Sequence, residues 1–363
     1  MDMRRTLRNT IPLLALAVFA CTKRREPAPQ PVDPVARALA MEFGRQPDTI
    51  PTRWRALIGE YGPDTTLRWF ALERDGRMHV LDQHGNYVPL GERYDSAHVT
   101  VFDAPVATAA VSGEVRFHKD STGRAFGIVL GDMVMARRNL EPPAGAQQLR
   151  IIPVRPIDEL RREALAATPP AETGSVRQPD LVALTSLDST IRLDIRYATE
   201  NNFLGTPLYE EAGAYLQRPA AAALARANAA LRPLGYGLQV FDAYRPWYVT
   251  KVFWDATPQD KKWLVANPMQ GSKHNRGSAV DLTLFDLESR QPVEMPGTYD
   301  ESTARSAANY PGGTSLQRYH RALLRRVMEG LGYTANPLEW WHFDFKDWAS
   351  YPILNVPLEQ LGR

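Results

Sequence analysis

His274 and Asp281 stand seven residues apart in the run Ser272-Lys273-His274-Asn275-Arg276-Gly277-Ser278-Ala279-Val280-Asp281, and Glu339 stands three residues before His342 in Glu339-Trp340-Trp341-His342. Two imidazoles and one carboxylate are enough for a catalytic metal site that keeps a coordination position open. The spare carboxylate is then available to move a proton. The pattern constrains the fold because side chains from two distant segments must converge. Gly277 lets the chain turn after the first histidine, and the small Ser278 and Ala279 allow close backbone packing beside a metal. Asp281 is expected on a strand. Glu339 and His342 cannot share one face of a regular strand, because side chains alternate, so a turn or bulge between them is required. The same residues taken singly have plain readings: His274 in a loop, Asp281 as a cap, His342 in a core.

The surrounding chain fits such a site and excludes others. It has 363 residues, enough for two domains. Its 44% apolar and 23% charged residues are ordinary for a globular protein. A net charge of +2 without a long basic run gives no reason to expect nucleic acid. One cysteine, Cys21, rules out an intramolecular disulfide and a cysteine-rich metal centre.

Arg4, Arg5 and Arg8 precede an apolar run from Ile11 to Ala20, a basic segment and a hydrophobic segment too short to span a membrane as a mature helix. Ending in Val18-Phe19-Ala20-Cys21, the arrangement resembles a bacterial lipoprotein signal over residues 1–21. Cys21 is then the lipidated residue, and the lipid anchor is the only membrane attachment. Residues 22–34 form a charged, proline-containing tether. The protein is expected to be exported to the cell envelope or periplasm.

Residues 35–140 predict a small β-rich accessory domain after a short helix from Val35 to Glu42. Strands are expected at Leu67–Leu72, Met78–Asp82, Val99–Asp103, Glu114–Lys119 and Ala125–Leu130. Arg74-Asp75-Gly76-Arg77, His84-Gly85-Asn86 and Ser121-Thr122-Gly123 have hairpin chemistry. This region resembles the β-rich accessory domain that follows penicillin-binding-type serine hydrolases. Its four histidines, His79, His84, His98 and His118, lack ligand spacing and are read as surface or turn residues. Residues 141–180 form a linker with one amphipathic helix, Pro156–Ala167, presenting Ile157, Leu160 and Leu165 on one side.

From Leu181 to the end, short strands alternate irregularly with helices. Val182–Leu184 and Ile191–Tyr197 predict strands, Pro219–Leu231 an alanine-rich helix, Leu238–Phe241 a strand and Trp247–Trp254 a helix. Ala279–Leu284 and Glu339–Phe345 are strands, and Leu316–Leu331 is an amphipathic helix with His320 on its surface. The fold class is α+β: a larger domain with a mixed or antiparallel sheet and flanking helices, preceded by a small all-β domain. Asp242-Ala243-Tyr244-Arg245-Pro246 places Asp242 where it can hold Arg245.

Residues 181–357 resemble the D-alanyl-D-alanine dipeptidases, a family of zinc metallopeptidases. The resemblance rests on Asp194-Ile195-Arg196-Tyr197-Ala198-Thr199, Asn201-Asn202-Phe203-Leu204-Gly205, the Asp242 segment, the His274 segment through Thr283, Gly297-Thr298-Tyr299-Asp300 and Glu339-Trp340-Trp341-His342-Phe343. It implies one zinc ion held by His274, Asp281 and His342. Glu339 is implied as general base and acid, and Arg245 as the group that stabilises the oxyanion. Ser272 and Asp300 are implied to hold the dipeptide, Asp300 near its ammonium, with Tyr197 in the same pocket or simply in the core. Pro296 is an insertion relative to the family pattern. The substrate so implied is D-Ala-D-Ala or a related small D-amino-acid dipeptide released in peptidoglycan turnover. Two rivals remain: a D,D- or L,D-carboxypeptidase acting on stem peptides, and a noncatalytic zinc-stabilised cell-wall-binding module.

Overall fold

The computed structural model describes residues 33–63, 68–104, 111, 113–140, 149–173 and 176–361. The signal, Cys21, most of the tether and the Glu141–Gly145 start of the linker lie outside them.

The described chain begins with two helices, α1 (Pro34–Phe43) and α2 (Thr52–Arg55), and then becomes all β. One sheet is a four-stranded meander of β1 (Gly59–Tyr61), β2 (Trp69–Arg74), β3 (Arg77–Leu81) and β4 (Tyr87–Pro89). The next is a five-stranded meander of β5 (Gly91–Asp95), β6 (Val99–Ala104), β7 (Gly113–Lys119), β8 (Ala125–Leu130) and β9 (Met133–Ala136). The β2–β3 hairpin turns on Asp75 and Gly76, both at positive φ, which the Asp-Gly pair accommodates. Trp69, Ala71, Val80, Phe102, Phe117 and Ile128 fill the core of this region. The expected strands are all present, their ends within two residues of the predicted ones wherever both ends are described.

Helix α1 packs away from this β region. Ala36, Leu39 and Phe43 belong to the core of the carboxy-terminal region, and Tyr319 Oη donates to the Phe43 carbonyl at 2.6 Å. Helix α3 (Ile157–Ala166) packs on that core through Leu160 and Ala164, one turn apart. Leu165, expected on the same side, is exposed, because it lies roughly 100° around the helix from Ala164.

The carboxy-terminal region starts with β10 (Leu181–Ala183), α4 (Leu184–Leu187), β11 (Arg192–Leu193), β12 (Tyr215–Gln217) and α5 (Arg218–Leu231). It continues with β13 (Tyr236–Asp242), α6 (Trp247–Ala256), β14 (Ala279–Asp286), α7 (Ser315–Gly330), β15 (Tyr333–Asn336) and β16 (Glu339–Phe345). The main sheet has the order β11-β13-β14-β16-β15; only β11 runs parallel to its neighbour, so the sheet is mixed, as expected. Beneath it pack the apolar faces of α5 and α7, the latter capped by Thr314 and Gln317.

Two expectations give way here. Only Arg192 and Leu193 of Ile191–Tyr197 form a strand; the chain then coils into a 3-10 turn at Arg196–Ala198, where the Tyr197 carbonyl accepts from the Leu208 and Tyr209 amides. His320 is buried rather than on the surface. It meets Tyr236 Oη at 3.2 Å and the Glu294 carbonyl at 2.9 Å, and burial lowers its pKa.

Candidate active site

β14 and β16 are antiparallel neighbours in which Asp281 pairs directly with His342. Opposed residues put their side chains on one face about 5 Å apart, and His342 Nδ1 lies 2.9 Å from Asp281 Oδ1. His274 comes from a short 3-10 turn, Lys273–Arg276, immediately before β14. Ser272 and Asn275 cap that turn reciprocally, and Gly277 ends it at φ 63°. The positive φ favours glycine there, and a Cβ at Gly277 would also stand 2.4 Å from Leu181 Cδ2 and displace that side chain.

The bulge required in β16 is present. Ala335 and Asn336 are adjacent in β15, yet they pair with Phe343 and Glu339, four residues apart. This excursion lets Glu339 and His342 face one cavity, which a regular strand would forbid. The Asn336 side-chain amide donates to Glu339 Oε2 at 2.8 Å and fixes its orientation.

His274 Nε2, His342 Nδ1 and Asp281 Oδ1 are separated by 3.1, 2.9 and 3.4 Å. Ligands at zinc's 2.0–2.1 Å in a tetrahedron stand about 3.3 Å apart, so the donor set fits a zinc ion. Each imidazole is held from behind. His274 Nδ1 donates to the Ala243 carbonyl at 2.7 Å, leaving Nε2 as the donor to a metal. His342 Nε2 lies 2.9 Å from Asp344 Oδ1, and Lys273 Nζ donates to the other oxygen of Asp344 at 2.5 Å. Tyr299 Oη donates to Asp281 Oδ2 at 3.1 Å. Burial pushes the His342 pKa down, but hydrogen bonds to Asp281 and Asp344 outweigh it and raise it to about 10. Burial pushes Asp281 up, and the two imidazoles more than reverse this, holding it well below the usual carboxylate range. The cluster therefore favours a positive charge between its imidazoles, the electrostatic condition a cation meets.

Arg245 is held as its sequence spacing suggested. Its Nε and Nη2 donate to Asp242 Oδ2 at 2.9 and 2.7 Å, and Asp242 Oδ1 accepts from Tyr209 Oη at 2.7 Å. The guanidinium lies over the rings of Tyr197 and Phe253, 5.2 and 4.8 Å from their centroids. Burial works against its charge, but Asp242 keeps it protonated.

Asp300 does not cap a helix; Thr303 caps the 3-10 turn that follows. Asp300 lies at φ 56°, unusual for a residue with a side chain, and its Oδ2 accepts from Tyr197 Oη at 3.0 Å. Burial, then the negative charges of Asp281 and Glu339, raise its pKa to about 8. Burial likewise raises that of Glu339.

Tyr197, Arg245, Ser272, His274, Asp281, Asp300, Glu339 and His342 all line one cavity of about 780 Å³. The sequence reading assigned no role to Asp344 or Tyr299. Asp344 had a signal, since a residue two beyond His342 on a strand shares its face. Tyr299 had none beyond its neighbour Asp300.

A family model described as D-ala-D-ala dipeptidase, Peptidase_M15, matches residues 177–357. The chain belongs to this family. A D-alanyl-D-alanine dipeptidase of Escherichia coli (strain K12) is 34% identical over 175 residues, covering 48% of this chain and 89% of the relative. One from Enterococcus faecalis (strain ATCC 700802 / V583) is 33% identical over 183 residues, 45% of this chain and 89% of the relative. One from Streptomyces coelicolor (strain ATCC BAA-471 / A3(2) / M145) is 31% identical over 189 residues, 46% and 92%. The shared stretch is the peptidase region, and the β region preceding it lies outside the family match.

Proposed function

We propose that this chain is a zinc-dependent D,D-dipeptidase that hydrolyses free D-Ala-D-Ala. The observation that carries the reading is the convergence of three metal donors, a spare carboxylate and a held guanidinium on one cavity wall.

His274, Asp281 and His342 would hold the ion. Bound there, zinc supplies Lewis acidity, polarising a carbonyl and lowering the pKa of water. Glu339, kept basic enough by burial, takes a proton at Oε during attack and returns it to the leaving amine. Arg245, already fixed by Asp242, meets the negative charge that develops on the carbonyl oxygen without having to reorganise. Asp300 receives the substrate ammonium beside Tyr197, and Ser272 contacts the dipeptide from the turn that carries His274.

Asp300, whose raised pKa lets it ionise against an incoming ammonium, selects substrates with a free amine. The cavity has more room than two alanines fill, which favours weighing a carboxypeptidase acting on longer stem peptides. Comparing turnover of free and N-acetylated D-Ala-D-Ala decides between them: strong preference for the free dipeptide is expected, and equal rates would sink the dipeptidase reading. We further propose export and lipid anchoring at Cys21, with a role in peptidoglycan turnover. The support is the amino-terminal pattern of Arg4, Arg5 and Arg8, an apolar run and a cysteine. Labelling by a radioactive fatty acid in cells, lost in Cys21→Ala, is the check.

A further inference from the structure

Strand β2 begins Trp69-Phe70-Ala71-Leu72 with no polar residue among them. A strand in an antiparallel sheet with one wet face alternates apolar and polar side chains, so this run demands cover on both faces. Trp69 and Ala71 join the core of the β region. Phe70 and Leu72 point the other way and, with Leu81 of β3, form a separate cluster with Tyr310, against which Ala304 and Ala307 pack. The Phe70 and Tyr310 rings meet edge to face with centroids 5.8 Å apart. That second face therefore rests on the segment that leaves Asp300.

A polar seam extends the contact. Glu73 Oε2 accepts from the Ser315 amide at 2.7 Å, its amide donates to the Gly313 carbonyl at 3.3 Å, and its carbonyl accepts from Arg318 Nη2 at 2.5 Å. On the incoming side of the same segment, Arg55 Nη1 pairs with Glu294 at 2.8 Å. Just past β9, Arg138 and Leu140 line the cavity that holds the metal donors and Asp300. Arg138 is anchored to Glu60 by its amide, 2.8 Å from the Glu60 carbonyl, and by its guanidinium, 2.5 Å from Oε2.

Asp300 occupies a left-handed backbone conformation that persists only where its surroundings fix it. The peptidase sheet secures the residues before it, through Tyr299 to Asp281. The residues after it lean on the β region, which lies outside the stretch shared with the family. We propose that the accessory β region is a positioning element of the active site: it braces the segment carrying Asp300 and closes one side of the cavity with Arg138 and Leu140, so that recognition of the substrate's free amino end depends on it. The inference rests on the dipeptidase reading for its kinetic consequence, but not for its structural one.

The test uses the full chain with Phe70→Ala, the conservative Phe70→Leu, and Tyr94→Ala on the far sheet as control. Phe70→Ala is expected to raise KM for free D-Ala-D-Ala by about tenfold with kcat held within about threefold, and to erode the preference for free over N-acetylated dipeptide. Amide hydrogen exchange should quicken in residues 301–314 and not in β13, β14 or β16. Phe70→Leu should restore most of both effects, and Tyr94→Ala should change neither. Should Phe70→Ala fail to fold, Glu73→Ala is expected to give the same split at smaller size. The proposal is overturned by unchanged protection of 301–314, or by a fall in kcat with KM and amino-end preference intact. Absence of dipeptide turnover in the wild-type chain would instead remove the dipeptidase reading, and the exchange measurement would still decide the brace.

Discussion

Both regions of this molecule contain a five-stranded sheet, and both carry histidines, but their imidazoles have different surroundings. In the β region His79 and His118 are half-exposed on β3 and β7, and His84 and His98 are exposed. His79 Nδ1 meets the nearby Arg77 carbonyl, and His118 leans on the Phe126 ring. In the peptidase region His274 and His342 face each other across Asp281, each gripped from behind by a backbone carbonyl or a carboxylate. A histidine is prepared for a metal by strand register, burial and a second partner that fixes its tautomer. Spacing along the chain is only the visible part of that arrangement.

The comparison is broken most severely by removing the group that separates a metal site from an enzyme. Glu339→Gln is expected to keep one zinc per chain and lower kcat about a thousandfold, within the range for loss of a general base; metal analysis beside steady-state kinetics measures both. Loss of zinc along with activity would make Glu339 a ligand. Next in size, Asp344→Asn weakens the hold on His342 and is expected to cost between about ten- and a hundredfold in zinc affinity, read by competition with a chromophoric chelator.

A pH dependence sharpens the contrast. The folded pKa of His342 is about 10, above its ordinary 6.5. Protonated His342 therefore stabilises the metal-free fold fully below about pH 6.5, and that contribution is lost as pH rises through about 10. The melting temperature of metal-free protein should fall across this window. Zinc must displace the same proton, so its apparent affinity should rise with pH over that range, with proton release detectable by calorimetry in buffers of different ionisation enthalpy. The smallest effect is expected in the other region: His118→Ala should leave zinc content and kcat/KM unchanged, and a loss of either would remove the distinction drawn between the two histidine sets.

Much of the site was legible because its chemistry is dense in sequence. His274, Gly277 and Asp281 fall within eight residues, and Asp242 lies one helical turn's spacing from Arg245. The bulge in β16 followed from alternation alone, since Glu339 and His342 could not otherwise meet. The roles of Asp344 and Tyr299 depend on which strands lie side by side, information that no local pattern carries. His320 misled because one polar residue on an amphipathic helix reads as surface until a second element, here Tyr236 and the Glu294 carbonyl, covers it. The strand expected over Ile191–Tyr197 failed for a related reason: its alternation was real, but the chain leaves the sheet after pairing with β13 to carry Tyr197 into the cavity. The unbroken apolar start of β2 was a signal for a second buried face, and only the packed structure shows what covers it.

Whether the His274–Asp281–His342 cluster and Glu339 form a metal-dependent dipeptidase is tested most directly by release of D-alanine from free D-Ala-D-Ala by the purified protein, with a chelator and then with zinc restored. Release that the chelator abolishes and zinc recovers is the expected result. No release from a protein that carries one zinc per chain would contradict it.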